Sequence, residues 1–340
     1  MTAISFDDVL LVPQYSDAES RSALKTSNEL SEETTLQLPI ISSPMDTVTE
    51  TKMAAAMRNH GGLGIIHRYN SVEKQTEMVI ALQDGTEGHR IVGAAIGVTG
   101  DYQERAAELV RAGTNVLCID VAHGHHSMMR DALKYIKETH GSDVHVMAGN
   151  VATGEGGLDL ANWGADSIRV GIGGGSICST RLVSGHGMPT FQSIMECVNY
   201  GCPVPIIADG GMKTSGDIVK ALAAGADFVM LGSMLAGTDQ SPGQIFDNGK
   251  KKYKVYRGMA SSEAQVNWRG KTSTPEGIST TIPYKGDVNK VLADLRGGIQ
   301  SGMSYSGATT IRELQARAQF IKQTSAGQSE SFTHILSRNK

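Results

Sequence analysis

Cysteine is scarce in this chain: Cys118, Cys178, Cys197 and Cys202 are the only four in 340 residues. They are too few and too scattered to frame a disulfide scaffold, and no pair has zinc-ligand spacing, so reduced thiols are expected. Aromatic residues make up only 5%, and neither sign of charge dominates, with 31 Lys and Arg against 35 Asp and Glu for a net charge of -4. That balance carries no nucleic-acid footprint and no membrane-surface patch. The opening MTAISFDDVLLVPQYS has no basic segment and no long apolar run. It reads neither as a secretory signal nor as a spanning helix, and a cytoplasmic location is the default expectation. No G-x-G-x-x-G opens a helix, so the glycine fingerprint of a doubly wound dinucleotide fold is missing too.

Glycine, by contrast, is abundant at 40 residues, and it is densest in GIGGGSICSTR at 171–181. Gly171, Gly173, Gly174 and Gly175 remove side-chain bulk, which lets backbone groups approach a ligand or an ion. Cys178 is a soft nucleophile in that frame, and Ser176 and Thr180 add hydroxyls able to hold a phosphate or pass a proton. Covalent catalysis is one reading of the loop. A glycine-rich turn around a structural cysteine is the other.

Short apolar runs recur along the chain with amphipathic segments between them. They are 38–42 (LPIIS), 62–67 (GLGIIH), 91–96 (IVGAAI), 116–120 (VLCID), 144–148 (VHVMA), 167–170 (SIRV), 205–209 (PIIAD) and 228–232 (FVMLG). Stretches such as 103–112, 128–139 and 216–224 have helical spacing, and glycines at Gly61, Gly113, Gly164 and Gly225 close such segments as C-caps do. Strands apolar on both faces, alternating with helices, argue for a covered parallel sheet, and eight units close into a (β/α)₈ TIM barrel. An open doubly wound sheet is the alternative. The expected organisation is one barrel domain over 1–340, with a flap inserted after the eighth strand at 240–285 and a mobile polar tail at 325–340. Helices are expected at 288–295 and 310–320.

Chemistry in such a barrel gathers where the strands end, so the residues after each run are the candidates. Ser43 and Met45 follow the first, Asp120 and Ala122 the fourth, Asn150 the fifth and the Cys178 loop the sixth. Asp209, Gly210 and Gly211 follow the seventh, and Gly232 and Ser233 the eighth. Paired glycines after the last two strands match the phosphate site of these barrels. A phosphorylated ligand is therefore expected.

These segments resemble the family of inosine-monophosphate dehydrogenase and guanosine-monophosphate reductase. The similarity runs through FDDVLLVP, PMDTVTE, IDVAHGH, AGNVAT, GIGGGSICSTR, ADGGMKTSGDI, GADFVMLGSMLAG, YRGM and PEGI, in that order. It implies that Cys178 attacks C2 of a purine nucleotide while Thr180 and Glu276 share the proton work. It further implies that Asp209 takes the ribose hydroxyls and that Ser176, Gly211, Gly232, Ser233 and Tyr256 hold the 5′-phosphate. Ser43, Met45, Gly210, Gly258 and Met259 complete the substrate site, with Glu276 facing the base. Asp120, Ala122, Asn150 and Thr180 would serve NADPH, or NAD in the alternative activity. The carbonyls of Gly173, Gly175 and Cys178 resemble monovalent-cation ligands, for which potassium is expected, and a homotetramer is expected by analogy. Gly174 departs from the family, which usually has proline or serine there.

Within the family, the dehydrogenase hydrolyses its covalent intermediate with an Arg-Tyr pair on the flap. The flap here reads ASSEAQVNWRGKTSTP between Met259 and Glu276, with Arg269 followed by Gly270, and lacks that pair. The stretch 69–90 leaves no room for the regulatory insertion usual in dehydrogenases. Both absences, with MEC at 195–197 and SYSGA at 304–308, point to the reductase: GMP to IMP and ammonia at the expense of NADPH. Ser273, where the reductase carries arginine, and the N-terminal third point to the dehydrogenase. A guanylate-binding barrel without chemistry is a further alternative.

Other residues read more plainly. Cys118 and Cys197 are expected as inert core thiols, and the lysines of 249–254 as a solvated face. His123, His125 and His126 have no carboxylate at helical spacing and are read as a loop near the cofactor rather than a metal site.

Overall fold

The computed structural model describes residues 2–83, 91–141 and 143–331. Residues 84–90 of the stretch 69–90, and 332–340 of the tail, lie outside the described residues. Eight parallel strands close into a barrel: β1 (Ile40–Ser42), β2 (Leu63–Ile66), β3 (Gly93–Ile96), β4 (Val116–Asp120), β5 (His145–Val151), β6 (Ser167–Val170), β7 (Ile206–Asp209) and β8 (Phe228–Leu231). Closure is made by β8 pairing with β1 through Val229 opposite Ile40 and Met230 opposite Ile41. The fold is a (β/α)₈ TIM barrel, and the open sheet is excluded.

The strands are apolar on both faces because each side meets a different core. Ile41, Leu63, Ile65, Ala95, Val116, Cys118, Met147, Ile207, Phe228 and Met230 fill the barrel interior. Their neighbours in the chain, among them Ile40, Ile66, Leu117, Ile119 and Val146, face the surrounding helices. A hairpin of Asn28–Ser31 and Thr34–Leu36 adds Leu30 and Leu36 to the inner cluster. Asn28 Nδ2 donates to the carbonyl of Asp227, just before β8, at 3.1 Å, so the hairpin stoppers the N-terminal end. All chemistry is thereby left to the opposite end.

Gly61, Gly113, Gly164 and Gly225 have φ of 76°, 94°, 109° and 108°, the left-handed conformation expected of helix C-caps. The segment 240–285 holds more order than its composition suggests. Phe246–Asp247, Lys252–Arg257 and Ser279–Pro283 form a three-stranded antiparallel sheet, and Ser262–Arg269 is a helix. The lysine cluster needs correcting in one member. Lys250, Lys251 and Lys252 are exposed, but Lys254 is buried and donates through Nζ to the carbonyls of Thr238, at 3.0 Å, and Ser241, at 2.5 Å.

After the flap, helix Val288–Tyr305 runs well past 295. Gly298 and Gly302 within it serve close packing. A Cβ on Gly298 would lie 2.3 Å from that of Ser215, and one on Gly302 2.5 Å from Val219, both on helix Ser215–Ala223. Helix Ile311–Arg317 then gives way to strand Phe320–Lys322, which pairs antiparallel with Val9–Leu11. In the described part of the tail, Ser325–Glu330 is helical.

Candidate active site

All eight strands end in one cleft of about 930 Å³. Every residue singled out above for substrate, cofactor, cation or catalysis lines it, from Ser43 after β1 to Ser233 after β8 and Glu276 on the flap. Cys178 is exposed to the cleft, and its Sγ lies 3.2 Å from Thr180 Oγ1. Glu276 is held by the same loop. The Ser179 N–H donates to the carbonyl of Glu276 at 2.9 Å and the Ile278 N–H to that of Ile177 at 3.0 Å, so flap and loop run as an antiparallel ribbon. Cys178, Thr180 and the backbone of Glu276 thus belong to one local unit.

Beyond β7, Gly210 and Gly211 line the cleft with φ of 80° and 83°, a conformation that glycine adopts readily. A side chain at Gly232 would meet Tyr256 Oη at 3.0 Å and Met45 Sδ at 3.1 Å. Burial pushes the Tyr256 phenol up to about 12, so its hydroxyl remains a donor, facing Ser176 and Ser233. Arg257 brackets the flap's entry by donating to Asp46 Oδ2 through Nε at 3.0 Å.

The floor carries a group that the sequence reading missed. Arg169, in β6, is 4% exposed and donates to Asp120 Oδ1 at 2.6 Å and to Asp209 Oδ2 at 2.9 Å. Asn150 Nδ2 also donates to Asp209 Oδ2, at 2.8 Å, and to the carbonyl of Gly171, at 2.8 Å. Asp209 Oδ1 accepts no hydrogen bond among the described residues. The signal was available, because a charged residue inside the apolar run SIRV needs a buried partner. Its partners lie 49 and 40 residues away, beyond any local pattern.

At the mouth, Tyr69 stacks on Trp268 of the flap helix with centroids 4.9 Å apart. Arg68 lies over the Tyr69 ring and Arg269 over the Trp268 ring, at 5.5 and 5.8 Å. Of the other groups, burial pushes the thiols of Cys118 and Cys197 up to about 12, which keeps them inert. His125 Nε2, on the loop after β4, meets Asp159 of helix Gly154–Asn162 at 2.9 Å. Among the described residues no three metal-ligating side chains gather.

The family model for the IMP dehydrogenase / GMP reductase domain matches residues 3–334. The chain belongs to that family. Its members are oxidoreductases that act on purine nucleotides with a nicotinamide cofactor. The inosine-5′-monophosphate dehydrogenase of Nitrosopumilus maritimus (strain SCM1) is 35% identical over 97% of this chain and 98% of its own length. The GMP reductase of Leishmania major is 34% identical over 98% and 97%. The crystal structure of a cysteine-to-alanine variant of GMP reductase from Trypanosoma brucei, in complex with guanosine 5′-monophosphate, superposes with a TM-score of 0.93, at 32% identity and 98% coverage of both chains. The two sequence alignments extend over 466 and 478 positions, so both relatives carry a segment that this chain of 340 lacks. Because one of them is a reductase, the missing segment does not separate the two activities, and that part of the sequence argument falls away.

Proposed function

We propose that the chain is a GMP reductase, converting GMP to IMP and ammonia with NADPH. The observation that carries the reading is the local unit of Cys178, Thr180 and Glu276, which provides a nucleophile with proton-handling groups and no water-activating pair on the flap. Cys178 Sγ forms a bond to C2 of the purine, and the C2–N bond to the exocyclic amine breaks. Thr180 and Glu276 bring the proton that lets nitrogen depart as ammonia, since a charged amide ion is not expelled at neutral pH. A reduced nicotinamide, when bound, supplies the hydride that C2 then accepts, and the C–S bond breaks to return the thiolate. Asp209 Oδ1 receives the ribose while Arg169 and Asn150 hold its other oxygen. Gly210, Gly211, Gly232, Ser233, Ser176 and Tyr256 take the phosphate.

The residues present fit such a cofactor beside the nucleotide. The cleft is at the upper end of the range for small-ligand sites, and Asn150 Oδ1 is a buried acceptor with no hydrogen-bond partner among the described residues. A monovalent cation belongs to the same proposal. The carbonyls of Gly173 and Cys178 accept no hydrogen bond among the described residues, although that of Gly175 accepts from the Cys178 N–H at 3.1 Å.

IMP dehydrogenase is the second reading, favoured by Arg269, which lines the cleft without an ion-pair partner among the described residues. One preparation assayed twice separates them: GMP with NADPH, then IMP with NAD⁺ and potassium, both by absorbance. We expect NADPH loss in the first and no NADH in the second, with turnover abolished and nucleotide still bound in Cys178→Ala. NADH produced only in the second assay would establish the dehydrogenase, and nucleotide binding with no turnover in either would leave a binding barrel.

A further inference from the structure

Gln265 lies on the flap helix, is 5% exposed and lines the cleft. Its Oε1 accepts from the Ser273 N–H at 2.8 Å and from Ser273 Oγ at 2.9 Å. Its Nε2 donates to the carbonyl of Ala260 at 3.0 Å. That carbonyl also accepts the N–H of Glu276, at 3.1 Å. One buried amide therefore joins the loop before the flap helix to the strand of chain that delivers Glu276.

We propose that Gln265 is a positioning residue for Glu276, acting through Ser273 and Ala260. The inference rests on the reading of Glu276 as part of the proton relay. Between Gly270 and Glu276, among the described residues, the two bonds from Ser273 to Gln265 are the segment's hydrogen bonds to the rest of the molecule. Pro275 lies between Ser273 and Glu276 with one other residue. Proline has no N–H to donate, and it holds the residue before it in an extended conformation, so the path from 273 to 276 is short and stiff. Fixing Ser273 fixes where Glu276 arrives beside Cys178.

An amide is the side chain that suits this position, because it accepts and donates at once. Glutamate at 265 would keep the acceptor for Ser273 and lose the donor to Ala260. Leucine would lose both, releasing Ser273 to solvent and leaving the Ala260 carbonyl with the Glu276 N–H as its remaining donor among the described residues.

Two measurements on the full chain test the proposal: hydrogen exchange of the peptide covering 271–278, and steady-state kinetics with GMP and NADPH. In Gln265→Leu we expect faster exchange at Ser273 and Glu276, kcat lowered roughly ten-fold and the KM for GMP within about two-fold, as follows when an interaction serving the transition state is lost. Gln265→Glu should fall between Gln265→Leu and the parent in both readouts, and it covers the case in which Gln265→Leu does not fold. Unchanged exchange would overturn the bracket. A raised KM at constant kcat would reduce Gln265 to a ground-state anchor and overturn its positioning role. Faster exchange with normal kcat, in a protein where Glu276→Gln is impaired, would overturn the link to Glu276. If Glu276→Gln is itself fully active, the relay reading fails first and the proposal fails with it.

Discussion

Replacing Arg169 by methionine would leave Asp120 and Asp209 on the cleft floor with no cation between them. Removing one partner of a buried ion-paired set typically costs about 3–5 kcal/mol, since the remaining charges stay desolvated. Arg169→Lys should recover little, because one ammonium cannot serve two carboxylates on different strands as a guanidinium fork does. Urea unfolding and nucleotide titration check this: both should weaken in Arg169→Met, and normal affinity would show that Asn150 alone orients Asp209. Gly174 gives a second residue-scale prediction. A Cβ there would lie 2.5 Å from Thr190 Oγ1, on a stiff β-branched side chain that is 3% exposed and has no hydrogen-bond partner among the described residues. The departure noted in the sequence therefore answers a steric demand. Gly174→Ala should destabilise by about 1–3 kcal/mol through overpacking, and Thr190→Ala in the same chain should relieve it. Additive effects in the double-mutant cycle would disprove the contact.

At the scale of elements, the eight strands could be read from the sequence because all but β6, whose inward face carries Arg169, are largely apolar on both faces, and their glycine-closed helices supplied the punctuation. The flap's place was read, but the order inside it could not be. Its strand Lys252–Arg257 buries Lys254 where alternation calls for an apolar residue, so a polar inward position hides the period of two. The Cys178 loop stood out in the sequence by its glycines and does line the cleft, but its pairing with the chain at Glu276 joins positions about a hundred residues apart and needed the fold. A titration prediction belongs to β5 and β6. His145, at the start of β5, has Nε2 2.8 Å from Ser167 Oγ, and burial, opposed by Asp166, pushes its imidazole down to about 4. The unfolded chain takes up this proton near the ordinary value of 6.5 while the folded chain resists. Stability is therefore present above about pH 6.5 and is lost as pH falls toward 4, by at most about 3 kcal/mol. His145→Gln should flatten the curve of unfolding free energy against pH in that window. Equal slopes for variant and parent, in urea titrations at several pH values, would refute the assignment.

For the whole molecule, the barrel closes on itself and the two ends of the described chain are then clasped beneath one of its helices. Val9 pairs with Lys322, Leu10 with Ile321 and Leu11 with Phe320, and the Gln323 N–H donates to the carbonyl of Asp8 at 2.9 Å. Aromatic packing ties this clasp to the core. Phe320 meets Phe191 edge-on at 5.1 Å, and Phe191 meets Phe6 at 5.7 Å. Phe191 is fully buried and sits one residue after Thr190, on helix Thr190–Asn199. Loss of the clasp should therefore be felt by the barrel as a whole rather than by a fraying end. Truncating a fully buried phenylalanine to alanine costs about 3–5 kcal/mol, and Phe320 is half-buried, so about 2 kcal/mol is expected for Phe320→Ala. In a domain of this size that is a fall of a few degrees in Tm. Calorimetry should show one transition moved down intact, because the clasp and the barrel share Phe191. A separate early transition with the main one unmoved would mean that the strand pair melts alone, and that the helix carrying Thr190 and Phe191 is held by the barrel without it.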